Sequence, residues 1–267
     1  MRVTRPFTSL LVVLTSGALL HSQQSTPTTV AVQRDTQAVA FLQQSLAAFG
    51  RVPPSDSTAT GNITVSEGST TAQGTITILT RGSAQSSFKL QLPSGTWSIV
   101  YSNGQANLTA ADGTTALSLE RASSSQSLYF PYAYLSGILA NPDYSIQLVG
   151  TEQLGNTQAV HLRVQNTFSS QPSSQFLSQF TVADIWLDAT SNLPTKISRV
   201  QRDGGGATPK IPVSVTYSNY QNASGVLYAF TIQEYITDTL WATTTIQSVT
   251  LNSGLTDSAF PIVQGGN

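Results

Sequence analysis

From about residue 58 onward, apolar side chains recur at every second position, and that period holds nearly to the end of the chain. A period of two sends alternate side chains to opposite faces of a strand, one wet and one covered. Ile63 and Val65, then Ile76 and Ile78, then Phe88, Leu90 and Leu92 mark three successive strands, and Trp97, Ile99 and Tyr101 mark a fourth. Pro93-Ser94-Gly95 and Ser102-Asn103-Gly104 fall between strands, and Asn103-Gly104 is the strongest short hairpin signal in the chain. Leu108, then Leu117 with Leu119 across the Asp112-Gly113 turn, continue the series. These connections are too short for helical crossovers, so neighbouring strands are expected to be antiparallel.

The rhythm returns at Tyr144, Ile146 and Leu148, passes the Leu154-Gly155-Asn156-Thr157 turn, and resumes at Val160, Leu162 and Val164. Residues 168–178 are rich in Ser, Gln and Pro, carry no periodicity and read as a loop. Asp184-Ile185-Trp186-Leu187-Asp188 is a strand, followed by the Asn192-Leu193-Pro194 turn, a strand over 195–200 and a glycine-rich loop at 203–206. A closing meander comes last: Ile211, Val213, Val215 and Tyr217; Tyr228, Phe230 and Ile232; Ile246, Val249 and Leu251. Its first link, 218–225, has the Asn/Ser/Gly composition of a hairpin loop. The alternation slips by one at Ser248, which predicts a β-bulge.

Two windows depart from period two. Val39, Leu42, Leu46 and Phe49 fall on one stripe of a 3.6-residue helix over residues 35–49. Asp35 or Thr36 can cap its start, Gly50 can close it, and Pro53-Pro54 prevents continuation. A lone amphipathic helix of this length cannot bury its stripe, so it must lie on the sheet. The second window, 127–141, is the most apolar and aromatic after the N-terminal residues; Pro131 suits a first helical turn and Asn141-Pro142 a stop. Tyr129, Phe130, Tyr134, Leu135 and Ile138 are expected against the concave face, opposite Phe88, Leu90, Trp97 and Phe230. The candidate ligand-lining set is therefore Phe88, Leu90, Trp97, Phe130, Tyr134, Leu135, Ile138 and Phe230.

Residues 1–24 read as a secretory signal peptide, with Arg2 and Arg5 ahead of an apolar core over 10–20. That core is interrupted at Thr15-Ser16-Gly17 and is shorter than the ~20 residues a membrane span needs. Residues 25–34 read as a flexible start to the mature chain, and 35–263 as one domain in a periplasmic or secreted protein. Charged residues make up only 9 %, with no run of Lys or Arg, which argues against nucleic acid as a partner. The chain has no cysteine, so neither disulfides nor thiolate chemistry enter.

Candidate chemistry is sparse. Beyond the signal segment His161 is the one histidine, on the strand face opposite Val160 and Leu162, and it reads as a partly exposed structural residue. There is no Gly-x-Ser-x-Gly elbow, and no cluster of ligands for a metal. Asp184 and Asp188 share a strand face but stand roughly 13 Å apart at about 3.3 Å per residue, wider than a glycosidase pair needs. Gly204-Gly205-Gly206 lacks the Lys-Ser/Thr of a phosphate loop. The expectation is a protein without a cofactor that is not an enzyme.

The order of features resembles the periplasmic lipoprotein-carrier (LolA-like) superfamily. The residues that carry the likeness are the helix with Val39, Leu42 and Leu46; Trp186-Leu187-Asp188 with Leu193-Pro194-Thr195-Lys196-Ile197; the segment 213–220; and Gly225-Val226-Leu227-Tyr228-Ala229-Phe230. Two features depart from it: Tyr228-Ala229, where such proteins often place a proline, and the Ser/Gln-rich stretch 168–178. The resemblance implies a mainly β fold: an unclosed antiparallel half-barrel with an N-terminal helix and a short helix against its concave face. It implies binding or carriage of a lipophilic small molecule or an acylated protein, or, alternatively, an envelope sensor or scaffold that binds a protein partner.

Overall fold

A computed structural model describes residues 31–50, 52–126, 128–201 and 210–263. The expected signal peptide, residues 25–30 and the glycine-rich loop at 203–206 lie outside the described residues.

The N-terminal helix α1 spans Thr36–Phe49. Asp35 caps it, its carboxylate accepting from the backbone N–H groups of Gln37 and Ala38 at 2.8 and 3.0 Å. The helix ends at Gly50, where φ is 145° and a Cβ would run into the carbonyl oxygen of Gly225. Ala38, Leu42, Ser45 and Phe49 are buried along its stripe, with Val39 and Leu46 at the margin. Burying Leu42 and Phe49 is worth about 1.5–3 kcal/mol each.

Among the described residues, thirteen strands form one sheet. They are β1 (Asp56–Glu67), β2 (Thr70–Arg81), β3 (Gln85–Leu92), β4 (Gly95–Ser102), β5 (Gln105–Ala110), β6 (Gly113–Ala116), β7 (Tyr144–Leu154), β8 (Thr157–Asn166), β9 (Ala183–Asp188), β10 (Pro194–Gln201), β11 (Ile211–Ala223), β12 (Val226–Ile236) and β13 (Thr239–Leu251). Their order is β6-β5-β4-β3-β2-β1-β13-β12-β11-β10-β9-β8-β7, and each neighbouring pair is antiparallel. The sheet is not closed: β6 and β7 are its two edges. Two meanders are therefore sewn together by one long-range pairing, β1 with β13. That seam carries the bulge expected near Ser248; the extra residue is Gln247, beside Gly61, where a Cβ would strike the carbonyl oxygen of Thr245.

The chain crosses between the two edges through α2 (Leu119–Ser123) and α3 (Pro131–Ala140). Here the sequence expectation needs correcting, because Leu119 does not extend a strand. The hydroxyl of Ser118 accepts from the Arg121 N–H and starts a helix there instead. Residues 172–180, which overlap the expected loop at 168–178, wind into a 3₁₀ helix, Pro172–Phe180. The expected hairpin loop at 218–225 is mostly strand, with only Ser224-Gly225 in the turn. Asn219 takes a left-handed conformation (φ 53°) within β11, so Tyr217 and Tyr220 are both covered despite their odd spacing.

Gln33 and Arg34 are held in place against the β7 edge. Asp35 N–H donates to the Ile146 carbonyl at 2.9 Å, and Ile146 N–H to the Gln33 carbonyl at 2.7 Å. The Arg34 guanidinium donates to the carbonyls of Leu139, Asn141 and Tyr144. It thereby satisfies acceptors left bare at the end of α3, whose last turn has no basic residue of its own.

Candidate ligand-binding groove

The inner face of the sheet divides into a covered half and an open half. Over β7–β12 it is filled by α1 and α3, with Leu135, Ile146, Leu162, Ile185 and Tyr228 fully buried. Phe130 stacks on Tyr228 with ring centroids 4.7 Å apart, and Phe49 meets Tyr132 and Tyr220 edge-on.

Over β3–β5 only the short α2 packs, its Ala122 against Tyr101 and Ala106 at one end, and a groove of about 420 Å³ remains beside it. Its floor follows from strand register. Leu90 lies directly opposite Trp97 and Phe88 opposite Ile99, so these side chains abut on one face. Val65, Leu92, Leu108 and Trp241 complete the apolar lining, and Ser66, Ser94 and Ser98 are its polar members. Trp97 is 40 % exposed, a large apolar side chain left beside water.

Of the eight residues expected to line a ligand site, Phe88, Leu90 and Trp97 border this groove. The others do not join them. Phe130, Leu135 and Ile138 are buried in the core under α3, and Phe230 and Tyr134 pack against that core. Trp241 was not legible from periodicity because it is the extra residue of a bulge: Glu234 pairs with Ala242 and Tyr235 with Leu240. Bulges re-aim side chains in this way.

Phe88 and Ile99 also border a second cavity of about 100 Å³, which reaches toward the segment joining α2 to α3. Its polar wall includes Arg199 and Glu234. The Tyr129 hydroxyl donates to Glu234 Oε2 at 2.9 Å, the Tyr217 hydroxyl to the Leu128 carbonyl at 2.7 Å, and Arg199 Nη1 to the Gln126 carbonyl at 3.2 Å. These bonds tie the approach to α3 to β10, β11 and β12. Burial pushes the Glu234 carboxyl up, against the pull of the Tyr129 hydrogen bond and the Arg199 charge. Burial likewise raises the Tyr134 hydroxyl to about 12 and lowers the Arg199 guanidinium. Glu234 was findable: it continues the Tyr228, Phe230, Ile232 alternation, so the pattern puts a carboxyl on the apolar face.

The outer face of β7–β10 carries the one histidine of the described residues. His161 stacks on Trp186 at 4.4 Å, and its side chain is only 12 % exposed. Its Nε2 lies 2.9 Å from Asp184 and its Nδ1 3.0 Å from Glu152; the Trp186 indole N–H also donates to Glu152. With both ring nitrogens already facing carboxylates, the imidazole has no free nitrogen for a substrate proton. Arg163 completes the cluster through a two-pronged bond to Asp184. Asp188 is spent on the following turn, accepting from Thr190 and Ser191. Among the described residues, no group of His, Asp and Glu is arranged to hold a metal ion, and no helix is long and apolar enough to cross a membrane.

Several solved structures share this fold. A domain assigned as an outer-membrane lipoprotein-sorting protein from Vibrio parahaemolyticus matches 84 % of this chain and 96 % of its own, with a TM-score of 0.55 and 16 % identity. A LolA superfamily protein from Nitrosomonas europaea matches 87 % and 99 %, with a TM-score of 0.54 and 16 % identity. A DUF1329 family protein from Desulfovibrio piger matches 86 % and 98 %, with a TM-score of 0.57 and 10 % identity. The fold is LolA-like. No family model and no curated protein matches the chain.

Proposed function

We propose that this protein is an exported binding or carrier protein whose lipophilic ligand lies in the groove over β3–β5. The observation that carries this proposal is the groove itself. Its volume of about 420 Å³ falls in the range of small-molecule sites, and two indoles and six other apolar or aromatic side chains line it. A monomer that leaves such a surface open exposes apolar area that water disfavours, and a lipophile relieves that cost. The LolA-like fold is consistent with this role. So is the basic-then-apolar start of the chain, which would deliver the protein to the periplasm or beyond.

Native mass spectrometry of the protein purified without detergent tests the proposal. A co-purifying lipophile that is exchanged for added N-phenylnaphthylamine supports it. A co-purifying polypeptide, with no lipophile and no dye binding, would instead favour the sensor or scaffold role.

A further inference from the structure

We infer that the groove takes an alkyl chain tail first, with its methyl end at Phe88 and Ile99 and its head at the β3–β4 turn, and that it holds about twelve carbons. This rests on the groove being a lipophile site and adds the direction of entry and the length of chain selected. Three observations carry it.

The first is a gradient of cover along the strands. On the inner face of β4, Trp97 is 40 % exposed, Ile99 is half-buried and Tyr101 is 7 % exposed. On β5, Leu108 is half-buried and Ala106 is buried. Tyr101 and Ala106 pack on Ala122 of α2, so the groove is shut at that end and open where β3 turns into β4. The second is the placement of its three serines, all on the open side of Ile99. Ser94 lies in the β3–β4 turn, Ser66 is one residue from the end of β1 on the same side of the sheet, and Ser98 follows Trp97. A head group that makes hydrogen bonds meets hydroxyls at this end, and a tail at the other meets Phe88, Ile99 and Leu108.

The third is what lies beyond Phe88 and Ile99. This cross-strand pair also borders the inner cavity, the Tyr129 ring stands 5.4 Å from that of Phe88, and the cavity wall carries Arg199 and Glu234. An alkyl end gains by leaving water for apolar surface and gains nothing against buried polar groups, so the chain stops at the pair. The floor along β4 from Ser94 to Ile99 then measures about 16 Å at about 3.3 Å per residue. An extended alkyl chain advances about 1.3 Å per carbon, given bonds of about 1.5 Å, and so about twelve carbons fill it.

The test is displacement of bound N-phenylnaphthylamine from the full chain by straight-chain alcohols from octanol to hexadecanol. Each added methylene should tighten binding about fourfold until the floor is filled, and affinity should level off near dodecanol. In Ile99→Trp, which fills the shut end, the levelling-off should move to shorter alcohols; an unchanged break would count against the inference. Should that variant fail to fold, the parent series and photolabelling still decide. Dodecanol with a diazirine at its methyl end should label the chain around Phe88 and Ile99, and one with the diazirine beside the hydroxyl should label it around Ser94 and Trp97. Affinity with no break near dodecanol, or labels in any other arrangement, overturns the inference and leaves the groove intact as a site. Failure of the dye and every alcohol to bind overturns both readings.

Discussion

The two halves of the inner face are built from the same alternating strands, yet they end in different states. Over β7–β12, α1 and α3 cover the apolar rows, and Leu42, Leu135 and Ile138 are at most 1 % exposed. Over β3–β5, α2 covers only the end at Tyr101 and Ala106, the rest borders the open groove, and Trp97 is 40 % exposed. A row of apolar residues on a strand therefore shows that a face avoids water and leaves open what covers it. Here helices cover one half, and the groove over the other is the place where a ligand would do so.

Truncation should break this comparison most sharply on the covered side. Leu135→Ala is expected to lower stability by about 2–5 kcal/mol, because the space it leaves is walled by packed residues. Denaturant midpoints would show that loss, while dye affinity of the folded fraction stays near the parent value. A small loss would mean that α3 lies over an unfilled space.

The open side should respond in the opposite way. Trp97→Ala removes a wall that is already half in water, so stability should change little. Dye affinity should fall about tenfold, since losing roughly 60 Å² of apolar contact at about 25 cal/mol per Å² amounts to about 1.5 kcal/mol. A titration that shows parent-like affinity would place the site elsewhere.

Capping gives a smaller effect, again on the covered side. Asp35→Ala removes the acceptor for two N–H groups at the start of α1 and should cost about 1 kcal/mol. Thermal or chemical melts would register it, and dye binding would not.

The smallest expected effect is a pH dependence at the base of the covered half. The hydroxyls of Ser169 and Ser170 and the Ser170 N–H hold the Asp143 carboxyl below its ordinary value, against the opposing effect of burial. A depressed folded-state pKa contributes stability above the unfolded pKa, and that contribution is lost as pH falls through the folded value. The stability gap between the parent and Asp143→Asn should thus be open near neutrality and close in acid. A gap that widens in acid would contradict this assignment.

Legibility followed the range of the interaction. The α1 helix was readable because Asp35, the Val39-Leu42-Leu46-Phe49 stripe and Gly50 are local signals that agree. The α3 helix was readable from Pro131 and Asn141 for the same reason. The seam between β1 and β13 was not, because antiparallel strands nearly 200 residues apart carry no mark of one another. Half of the groove was hidden by geometry as well. Trp241 stands on a bulge that period two cannot register, and the placement of α3 over β7–β12 rather than over Phe88 and Trp97 is a tertiary choice. The Ser118 cap was present in the sequence, but the spacing of Leu117 and Leu119 around it mimics a strand.

Tryptophan fluorescence tests the central claim most directly. The chain has three tryptophans: Trp97 and Trp241 line the groove, and Trp186 stacks on His161 on the outer face. In Trp186→Phe, a dodecanoate analogue brominated along its chain should quench most of the remaining emission at saturation. In the double variant Trp97→Phe with Trp241→Phe it should quench almost none. Quenching confined to Trp186, or absent from all three, would contradict the account.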